Sequence, residues 1–257
     1  EEGKINRKST FTCDGQEKVG GFTIKCHKVD GHGTITVKEA IAESCNDYMM
    51  HIGKLLGAKK FVQYQERFGF GTKTGIDLPN ESTGFVPKEF SVGNYLSDAF
   101  GQFDNYTPMQ LAQYVATIAN DGKRIAPHLV QGVYENDAKG GLGPLKEEIP
   151  TKELNQVALT PENLSLIKQG FYQVANGTSG LTTGKAVGEG AAVSISAKTG
   201  TAETFVNGRT PAINTNVVAY APSDNPQIAV AVVFPHNTNL HATVSHNITR
   251  EIINLYQ

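Results

Sequence analysis

Several features that place a protein in a broad class are missing from this sequence. No run of 18 or more apolar residues occurs, so no segment has the length and hydropathy of a membrane-spanning helix, and no signal peptide is evident. The formal net charge is only −2 with both signs spread along the chain, which argues against a nucleic-acid-binding protein. Internal repeats are also missing, and 257 residues suffice for one large domain or two small ones.

Cysteine is scarce and is confined to one end of the chain. The three cysteines, Cys13, Cys26 and Cys45, all fall within the first 45 residues, and the remaining sequence has none. Because the count is odd, it argues against a framework made only of disulfides.

The spacing of apolar residues predicts several helices. From Val37 to Leu56 they recur three and four residues apart, which predicts one helix with Thr36 as N-cap and Glu39 completing a capping box. Thr107 and Thr160 are each followed by proline and an apolar pattern, which is typical of a helix start. Further helices are predicted over residues 58–68, 108–119, 161–175 and 242–256.

Short alternating segments predict strands, mostly in the last quarter of the chain. Residues 216–221 and 227–234 are joined by a turn with two prolines, which predicts an antiparallel hairpin. We expect an α+β fold in which an antiparallel sheet packs between helices. Outside the sheet we expect a small hairpin strand at 21–27, a long loop region at 69–106, an extended segment at 125–134 and a surface excursion at 135–150.

One of the predicted strands carries a cluster of polar groups. Val193 and Ile195 alternate with serines and lead into the sequence Lys198-Thr199-Gly200-Thr201. A lysine, two hydroxyls and a backbone N–H on one strand form a receptor for a carboxylate or an oxyanion, and Gly200 lets a substrate come close. These residues are therefore a candidate binding and catalytic strand.

The tripeptide Lys-Thr-Gly occurs twice, so on its own it is a weak motif. The first copy, Lys73-Thr74-Gly75, is surrounded by glycines and followed by a proline, which predicts a loop. The second copy closes an alternating strand, and we interpret it as the functional one.

A second candidate site is Ser44-Cys45-Asn46. A serine and an asparagine two residues apart at a helix edge can both face a cleft if the backbone bends there. The serine can pass a proton and the asparagine can hold an amide carbonyl. Taken alone, the same residues also fit an exposed polar turn of a helix.

Taken in order, the motifs resemble the transpeptidase domain of penicillin-binding proteins, the serine enzymes that cross-link peptidoglycan. Ser-x-Asn at residue 44, Thr-Pro-Met-Gln-Leu-Ala at 107 and Lys-Thr-Gly-Thr at 198 occur in the family's order. The resemblance covers nearly the whole of residues 1–257 and is closest to class B members. It implies the fold shared with serine β-lactamases, a location outside the bacterial cytoplasmic membrane, and binding of D-Ala-D-Ala stem peptides and β-lactams.

The resemblance also implies a role for each site residue. Ser44 would shuttle a proton to the leaving group, and Asn46 would orient the substrate amide. Lys198 would supply positive charge. Thr199 and Thr201 would bind the substrate carboxylate, and the Thr201 N–H would be half of the oxyanion hole.

The family's first motif, Ser-x-x-Lys, is missing from its expected place before Ser44. The one match, Ser165-Leu-Ile-Lys168, follows Ser44 and falls in the middle of an amphipathic helix, so we reject it. The sequence does not begin with Met, and its first residues resemble the end of the nucleophile's helix. We therefore expect the nucleophilic serine, its lysine and a membrane anchor in a segment upstream of Glu1.

The cysteines indicate a zinc site beside the active site. Cys13 and Cys26 flank a glycine-containing hairpin, and Cys45 lies inside the Ser-x-Asn motif. With His27 or His32 as fourth ligand they would form a Cys3His tetrahedral site. His27 requires a bend because its side chain and that of Cys26 lie on opposite faces of a straight strand.

Two further possibilities remain open in the sequence. Asp14 is an additional candidate ligand, through a carboxylate oxygen. A Cys13–Cys26 disulfide with Cys45 buried is the other possibility, since disulfides form in oxidising compartments.

The function also has alternatives. A serine β-lactamase or D,D-carboxypeptidase would share the fold and the acyl-enzyme chemistry. A β-lactam sensor that is acylated without turnover, or an inactive structural subunit, would share the motifs.

Overall fold

Helices and strands alternate in the computed structural model, which describes residues 1–19, 21–87, 91–180, 182–239 and 243–256. The helices are α1 Val37–Ala42, α2 Asn46–Leu56, α3 Ala58–Phe68, α4 Val92–Asp98, α5 Pro108–Ala119, α6 Pro161–Asn176, α7 Lys185–Gly188 and α8 Val244–Tyr256. The strands are β1 Thr10–Cys13, β2 Gln16–Val19, β3 Phe22–Lys25, β4 Gly33–Thr36, β5 Lys123–Ala126, β6 Gly132–Asn136, β7 Leu142–Glu148, β8 Lys152–Gln156, β9 Ser196–Val206, β10 Thr210–Ala221 and β11 Ile228–Asn237. Among these residues, every helix is too short or too polar to cross a lipid bilayer.

A three-stranded antiparallel sheet, in the order β9–β10–β11, forms the centre of the fold. Because side chains alternate along the central strand β10, its two faces build two parts of the core. Val217 and Ala219 are fully buried and pack with Ile253 of α8. Val218 and Tyr220 pack on the opposite face against side chains of α5 and α6. Helices therefore cover both faces of the sheet, which confirms the predicted fold class.

The predicted helix starts are confirmed by their caps. Thr107 accepts a hydrogen bond from the N–H of Gln110 at 3.1 Å, and the Gln110 side chain accepts the N–H of Thr107 at 2.8 Å. Thr160 caps α6 in the same way with its hydroxyl. At α1, the N–H of Thr36 donates to the Glu39 carboxylate at 2.7 Å. These local hydrogen bonds satisfy backbone groups that have no partner within the helix.

The single helix predicted over residues 37–56 is wrong, because the chain turns at Ser44. This residue has a φ of 54°, in the left-handed region. The N–H of Cys45 bonds to the carbonyl of Ala40 at 2.9 Å and closes α1, and Cys45 then caps α2 by accepting the N–H of Tyr48 at 3.4 Å. Since Cys45 and Tyr48 are both buried, the apolar spacing continues across the break and hides it.

Other boundaries also differ from the sequence predictions. The region 69–106 contains α4, and the extended segment expected at 125–134 is divided between β5 and β6. The excursion at 135–150 is a ribbon in which β6 pairs with β7 and most side chains are exposed. The strand expected from Val193 begins at Ser196. The helix start predicted at residue 242 lies outside the described residues.

Within the first 36 residues, four short strands form two antiparallel pairs that pack beside α2. The predicted hairpin strand is confirmed as β3, which pairs with β2. β1 pairs with β4, and this register places Cys13 opposite Gly33. Phe11, Ile35 and Tyr48 belong to one cluster with the three cysteines, so this part of the molecule is anchored to the start of α2.

Candidate active site

The two candidate motifs meet although they are far apart in the chain. The ammonium Nζ of Lys198 donates to the hydroxyl oxygen of Ser44 at 2.8 Å, across 154 residues of sequence. A cavity of about 290 Å³ opens at this contact. It is lined by every residue predicted to be catalytic or substrate-binding, namely Ser44, Asn46, Lys198, Thr199, Gly200 and Thr201.

Strand β9 presents Lys198 to Thr201 along one wall of the cavity. Its pairing with β10 is unbroken from Ser196 to Val206, so the backbone of the motif is held rigidly. The Thr199 hydroxyl donates to the Thr183 hydroxyl at 2.8 Å. A Cβ built on Gly200 would meet the protein only at Asn216, at 3.7 Å, so the space above this residue is available to a ligand.

The environment of Lys198 changes its proton affinity. Burial lowers the pKa of its ammonium to about 8, because the charged form loses hydration. Besides Ser44, the ammonium donates to the backbone carbonyl of Thr199 at 2.7 Å. At neutral pH Lys198 therefore carries a charge that can attract a carboxylate, and it gives up a proton more readily than an exposed lysine does.

The Ser44 turn forms the opposite wall of the cavity. The left-handed backbone at Ser44 turns the chain sharply between α1 and α2. Asn46, the first residue of α2, donates its side-chain amide to the carbonyl of Lys25 at 3.5 Å. A strained non-glycine residue at a cleft is typical of a functional site, where surrounding contacts hold it in place.

The first Lys-Thr-Gly copy is a structural loop, as predicted. Lys73 is exposed, whereas Thr74 is fully buried. The Glu81 carboxylate accepts the N–H and the hydroxyl of Thr74 at 2.7 and 2.5 Å. The tripeptide thus closes a turn and does not line the cavity at Ser44.

The rejected Ser165 and Lys168 pair lies on α6 in a different groove, of about 910 Å³. Lys168 forms an ion pair with Asp121 at 2.6 Å, and Ser165 accepts a hydrogen bond from Gln169 at 3.1 Å. Both side chains are thus engaged away from Ser44, which supports their rejection.

Three polar residues at the cleft were not predicted from the sequence. Gln102 donates its amide to the carbonyl of Glu203 at 3.4 Å and so links the segment after α4 to β9. Asn216 pairs with Gly200 in the sheet register, and Thr183 bonds to Thr199. Asn216 comes directly before the apolar segment Val217-Val218-Ala219. This change of polarity is the one feature of the sequence that could have indicated a residue at the cleft.

A buried acid, Asp98, and a half-buried one, Asp104, support the wall formed by the segment after α4. The Gln65 amide donates to Asp98 at 2.9 Å and to Asp104 at 2.7 Å, and the N–H of Asp104 donates to Asp98 at 3.2 Å. Burial, together with the charge of Asp104, raises the pKa of Asp98 to about 7. At neutral pH Asp98 is therefore protonated in a substantial fraction of molecules.

Replacement of Asp98 by asparagine will make stability less dependent on pH. Since the pKa of Asp98 is raised on folding, its contribution is present at acidic pH and is lost as pH rises toward 7. Relative to the unmodified protein, Asp98→Asn should therefore gain stability as the pH rises from about 4 to 7, as measured by urea unfolding at a series of pH values.

Asp77 is the matched control because its shift has the opposite sign. Its carboxylate accepts the N–H groups of Leu129 and Val130, which lower its pKa. Asp77→Asn should lose stability relative to the unmodified protein as pH rises through the acidic range. Parallel pH profiles for Asp98→Asn and the unmodified protein would contradict the assignment.

Four candidate metal ligands also come together behind the Ser44 turn. The ligand atoms of Cys13, Cys26, His32 and Cys45 all lie within 4.8 Å of one another. The structure does not bring His27, the alternative fourth ligand, into this group. Its Nε2 atom lies 2.7 Å from the carbonyl oxygen of Glu43, as expected if the side chains of Cys26 and His27 point to opposite faces.

The structure also places the other residues considered for the cysteine group. Asp14 is exposed and accepts the N–H of Gln16 at 3.4 Å, so it lies outside the group. Cys13, Cys26 and Cys45 are all free and buried in the structure. A hydrogen bond from the Cys45 thiol lowers the pKa of Cys26.

Comparison with known proteins gives consistent matches over most or all of the chain. A family model described as the penicillin binding protein transpeptidase domain matches residues 1–254. Penicillin-binding protein 2B of Streptococcus pneumoniae serotype 2 (strain D39) is 51% identical over 277 residues, covering 100% of this chain and 41% of that protein. Peptidoglycan D,D-transpeptidase MrdA of Salmonella typhimurium (strain LT2) is 28% identical over 232 residues, covering 80% of this chain and 36% of that protein.

The solved structure of penicillin-binding protein 2B from Streptococcus pneumoniae strain R6 matches with a TM-score of 0.90 at 50% identity. The match covers 99% of this chain and 44% of that one. The chain thus spans roughly two-fifths of the length of these relatives. It belongs to the family of penicillin-binding protein transpeptidase domains.

Proposed function

We propose that this chain is part of a peptidoglycan D,D-transpeptidase that is acylated by D-Ala-D-Ala stem peptides and by β-lactams. The observation that carries the proposal is the hydrogen bond of 2.8 Å between Lys198 and Ser44, which joins the Ser-x-Asn and Lys-Thr-Gly motifs in one cleft. Family membership supports it, and the printed name of the relative MrdA is that of a D,D-transpeptidase.

The reaction is acyl transfer through a serine ester. A serine hydroxyl attacks the carbonyl carbon of the penultimate D-Ala, the ester bond forms, and the terminal D-Ala leaves as an amine. An amine of a second stem peptide then attacks the ester, forms the new amide and releases the serine. Each half-reaction moves one proton from the attacking group to the leaving group.

The residues of the cleft fit these steps. The Ser44 hydroxyl, bonded to Lys198, passes the proton to the leaving amine. Asn46 orients the substrate amide from the other side of the turn. The Thr199 and Thr201 hydroxyls bind the terminal carboxylate, to which the Lys198 charge adds attraction, and the Thr201 N–H stabilises the oxyanion.

The nucleophile and its lysine are proposed to lie in a segment upstream of residue 1, which is then a partner of this chain within the same protein. That segment would also carry the membrane anchor and place the domain on the extracytoplasmic face of a bacterial membrane. The short span of the chain relative to its relatives supports this proposal.

The first test is direct. Residues 1–257 alone should form no stable adduct with penicillin, because the serine that forms the ester is not among them. Intact-mass spectrometry followed by peptide mapping checks this expectation. An adduct on Ser165 would contradict it and would restore the rejected motif.

The complete protein should instead be acylated and should release a fluorescent penicillin slowly. Rapid release would favour the alternative of a β-lactamase. A cross-linking assay with purified stem peptides then separates the remaining alternatives, since a sensor forms the acyl-enzyme without joining peptides and a D,D-carboxypeptidase transfers the acyl group to water.

A further inference from the structure

The group formed by Cys13, Cys26, His32 and Cys45 draws its members from four separate segments. Cys13 ends β1, Cys26 follows β3, His32 precedes β4, and Cys45 caps α2. All three cysteines are at most 2% exposed. Such convergence of four ligand atoms within 4.8 Å cannot be a consequence of sequence proximity, because 12, 5 and 12 residues separate successive members.

Two of the distances within the group match an edge of a metal tetrahedron. With zinc–sulfur and zinc–nitrogen bonds of about 2.3 and 2.0 Å, a tetrahedral site separates sulfur from nitrogen by about 3.5 Å. The His32 Nδ1 atom lies 3.5 Å from the sulfur of Cys13 and 3.6 Å from that of Cys26. The imidazole therefore directs one nitrogen at two sulfurs with the spacing that a shared ion requires.

An ordinary core explains this arrangement poorly. Buried cysteines pack as small apolar side chains and need no imidazole among them. The sulfur atoms are weak hydrogen-bond partners for the Nδ1 atom of His32. Placing a polar ring among thiols is favourable when an ion binds that Nδ1 atom.

We propose that these four residues bind one zinc ion in a closed Cys3His site that holds the Ser44 turn in its catalytic conformation. Zinc is the metal of choice because thiolate and imidazole ligands in a tetrahedron are its preferred set. The four side chains leave no ligand position for water or substrate, so the site is structural.

Close backbone contacts around the site hold together the loops that carry Cys13, Cys26 and His32. The N–H of Cys26 bonds to the carbonyl of Gly15 at 2.9 Å. A Cβ on Gly15 would lie 2.1 Å from the carbonyl oxygen of Val29, and one on Gly31 would lie 2.2 Å from that of Cys13. Only glycine permits these approaches, which set the loops close enough for their side chains to share an ion.

The position of Cys45 gives the site its consequence for catalysis, and this step rests on the proposed function. Cys45 lies between Ser44 and Asn46, and its sulfur faces the buried group while both neighbours line the cavity. A metal bond to Cys45 fixes the residue that follows the strained backbone of Ser44. The zinc ion is thus a positioning element for the proton shuttle and the amide-binding side chain.

Metal analysis tests the site without reference to activity. Untagged complete protein, purified without chelators, should contain one equivalent of zinc by plasma mass spectrometry. Less than a tenth of an equivalent, together with a disulfide between Cys13 and Cys26, would overturn the proposal. Cobalt substituted for zinc should give the absorption of a tetrahedral thiolate complex, and an octahedral spectrum would contradict the ligand set.

The two histidines provide a matched pair of variants. His32→Ala should lose the zinc, whereas His27→Ala should retain it, because the His27 ring is bonded to the carbonyl of Glu43. If His32→Ala does not fold, His32→Cys keeps the proposal testable, since four thiolates also bind zinc tetrahedrally. Equal zinc contents in the two alanine variants, or no zinc in His32→Cys, would overturn the assignment of His32.

The positioning role is tested on folded protein. Removal of zinc, followed by measurement well below the melting temperature, should slow acylation by fluorescent penicillin about 100-fold, as misplacing catalytic groups by about 1 Å does. Adding zinc back should restore the rate. An unchanged acylation rate in folded, zinc-free protein would overturn the positioning role. Zinc-loaded protein that is never acylated would instead contradict the proposed function.

Discussion

Lys198→Ala in the complete protein will reduce the rate of acylation by penicillin by about 10²–10³, while the fold remains intact. The expected loss corresponds to about 2.7–4 kcal/mol, the range seen when one preorganised electrostatic group is removed from a site. The physical reason is that Lys198 supplies the only ammonium that contacts Ser44 in the described part of the chain. Stopped-flow or gel-based acylation kinetics measure the effect, and circular dichroism checks the fold.

Lys73→Ala is the matched control for Lys198→Ala. Both lysines precede Thr-Gly, but Lys73 is exposed on a loop that is held by Thr74 and Glu81. Its removal should leave acylation within a factor of about two, since exposed side chains that make no such contacts contribute little. A larger loss at Lys73 than at Lys198 would show that the wrong copy of the motif was assigned.

Gly31→Ala will destabilise the domain far more than Gly33→Ala. Both glycines have a left-handed backbone, with φ of 76° and 71°, so each alanine incurs about 1–2 kcal/mol of conformational strain. At Gly31 the new Cβ would also lie 2.2 Å from the carbonyl oxygen of Cys13, whereas nothing lies within 4 Å at Gly33. We expect a total loss of about 4 kcal/mol or more at Gly31, which is in the range of severe single mutations.

Urea denaturation of the two variants, carried out under identical metal conditions, compares their free energies of unfolding. Gly33 is a strict control because it is two residues away and lies opposite Cys13 in the β1–β4 register. Similar losses for the two variants would mean that the close approach at Gly31 relaxes without cost and that strain alone determines both values.

The sequence was most informative where a local rule determines the structure. Thr107 and Thr160 start helices because their hydroxyls satisfy backbone N–H groups in the first turn. Each accepts the N–H of the residue three positions further along the chain. The Lys198 strand was recognised from alternation and motif, although the regular strand begins at Ser196.

The remaining features depend on contacts between distant segments. The turn at Ser44 is invisible in the apolar pattern because Cys45 is buried by the cysteine group and continues the helical spacing. The choice between His27 and His32 depends on how β1 and β4 pair, which residue spacing does not determine. The Asp98 and Asp104 pair was missed because two acids six residues apart in a loop region ordinarily remain hydrated.

The unbroken pairing of β9 with β10 has a consequence for how chains of this kind can change in length. Every residue from Ser196 to Val206 has a partner without a bulge, so deletion of a single residue before Lys198 would move the motif's side chains to the other face of the sheet. The β10–β11 pair already contains an irregularity between Ile213 and Thr215. Insertions and deletions should therefore accumulate at residues 207–209 and in the β6–β7 ribbon, while the motif strand keeps its length.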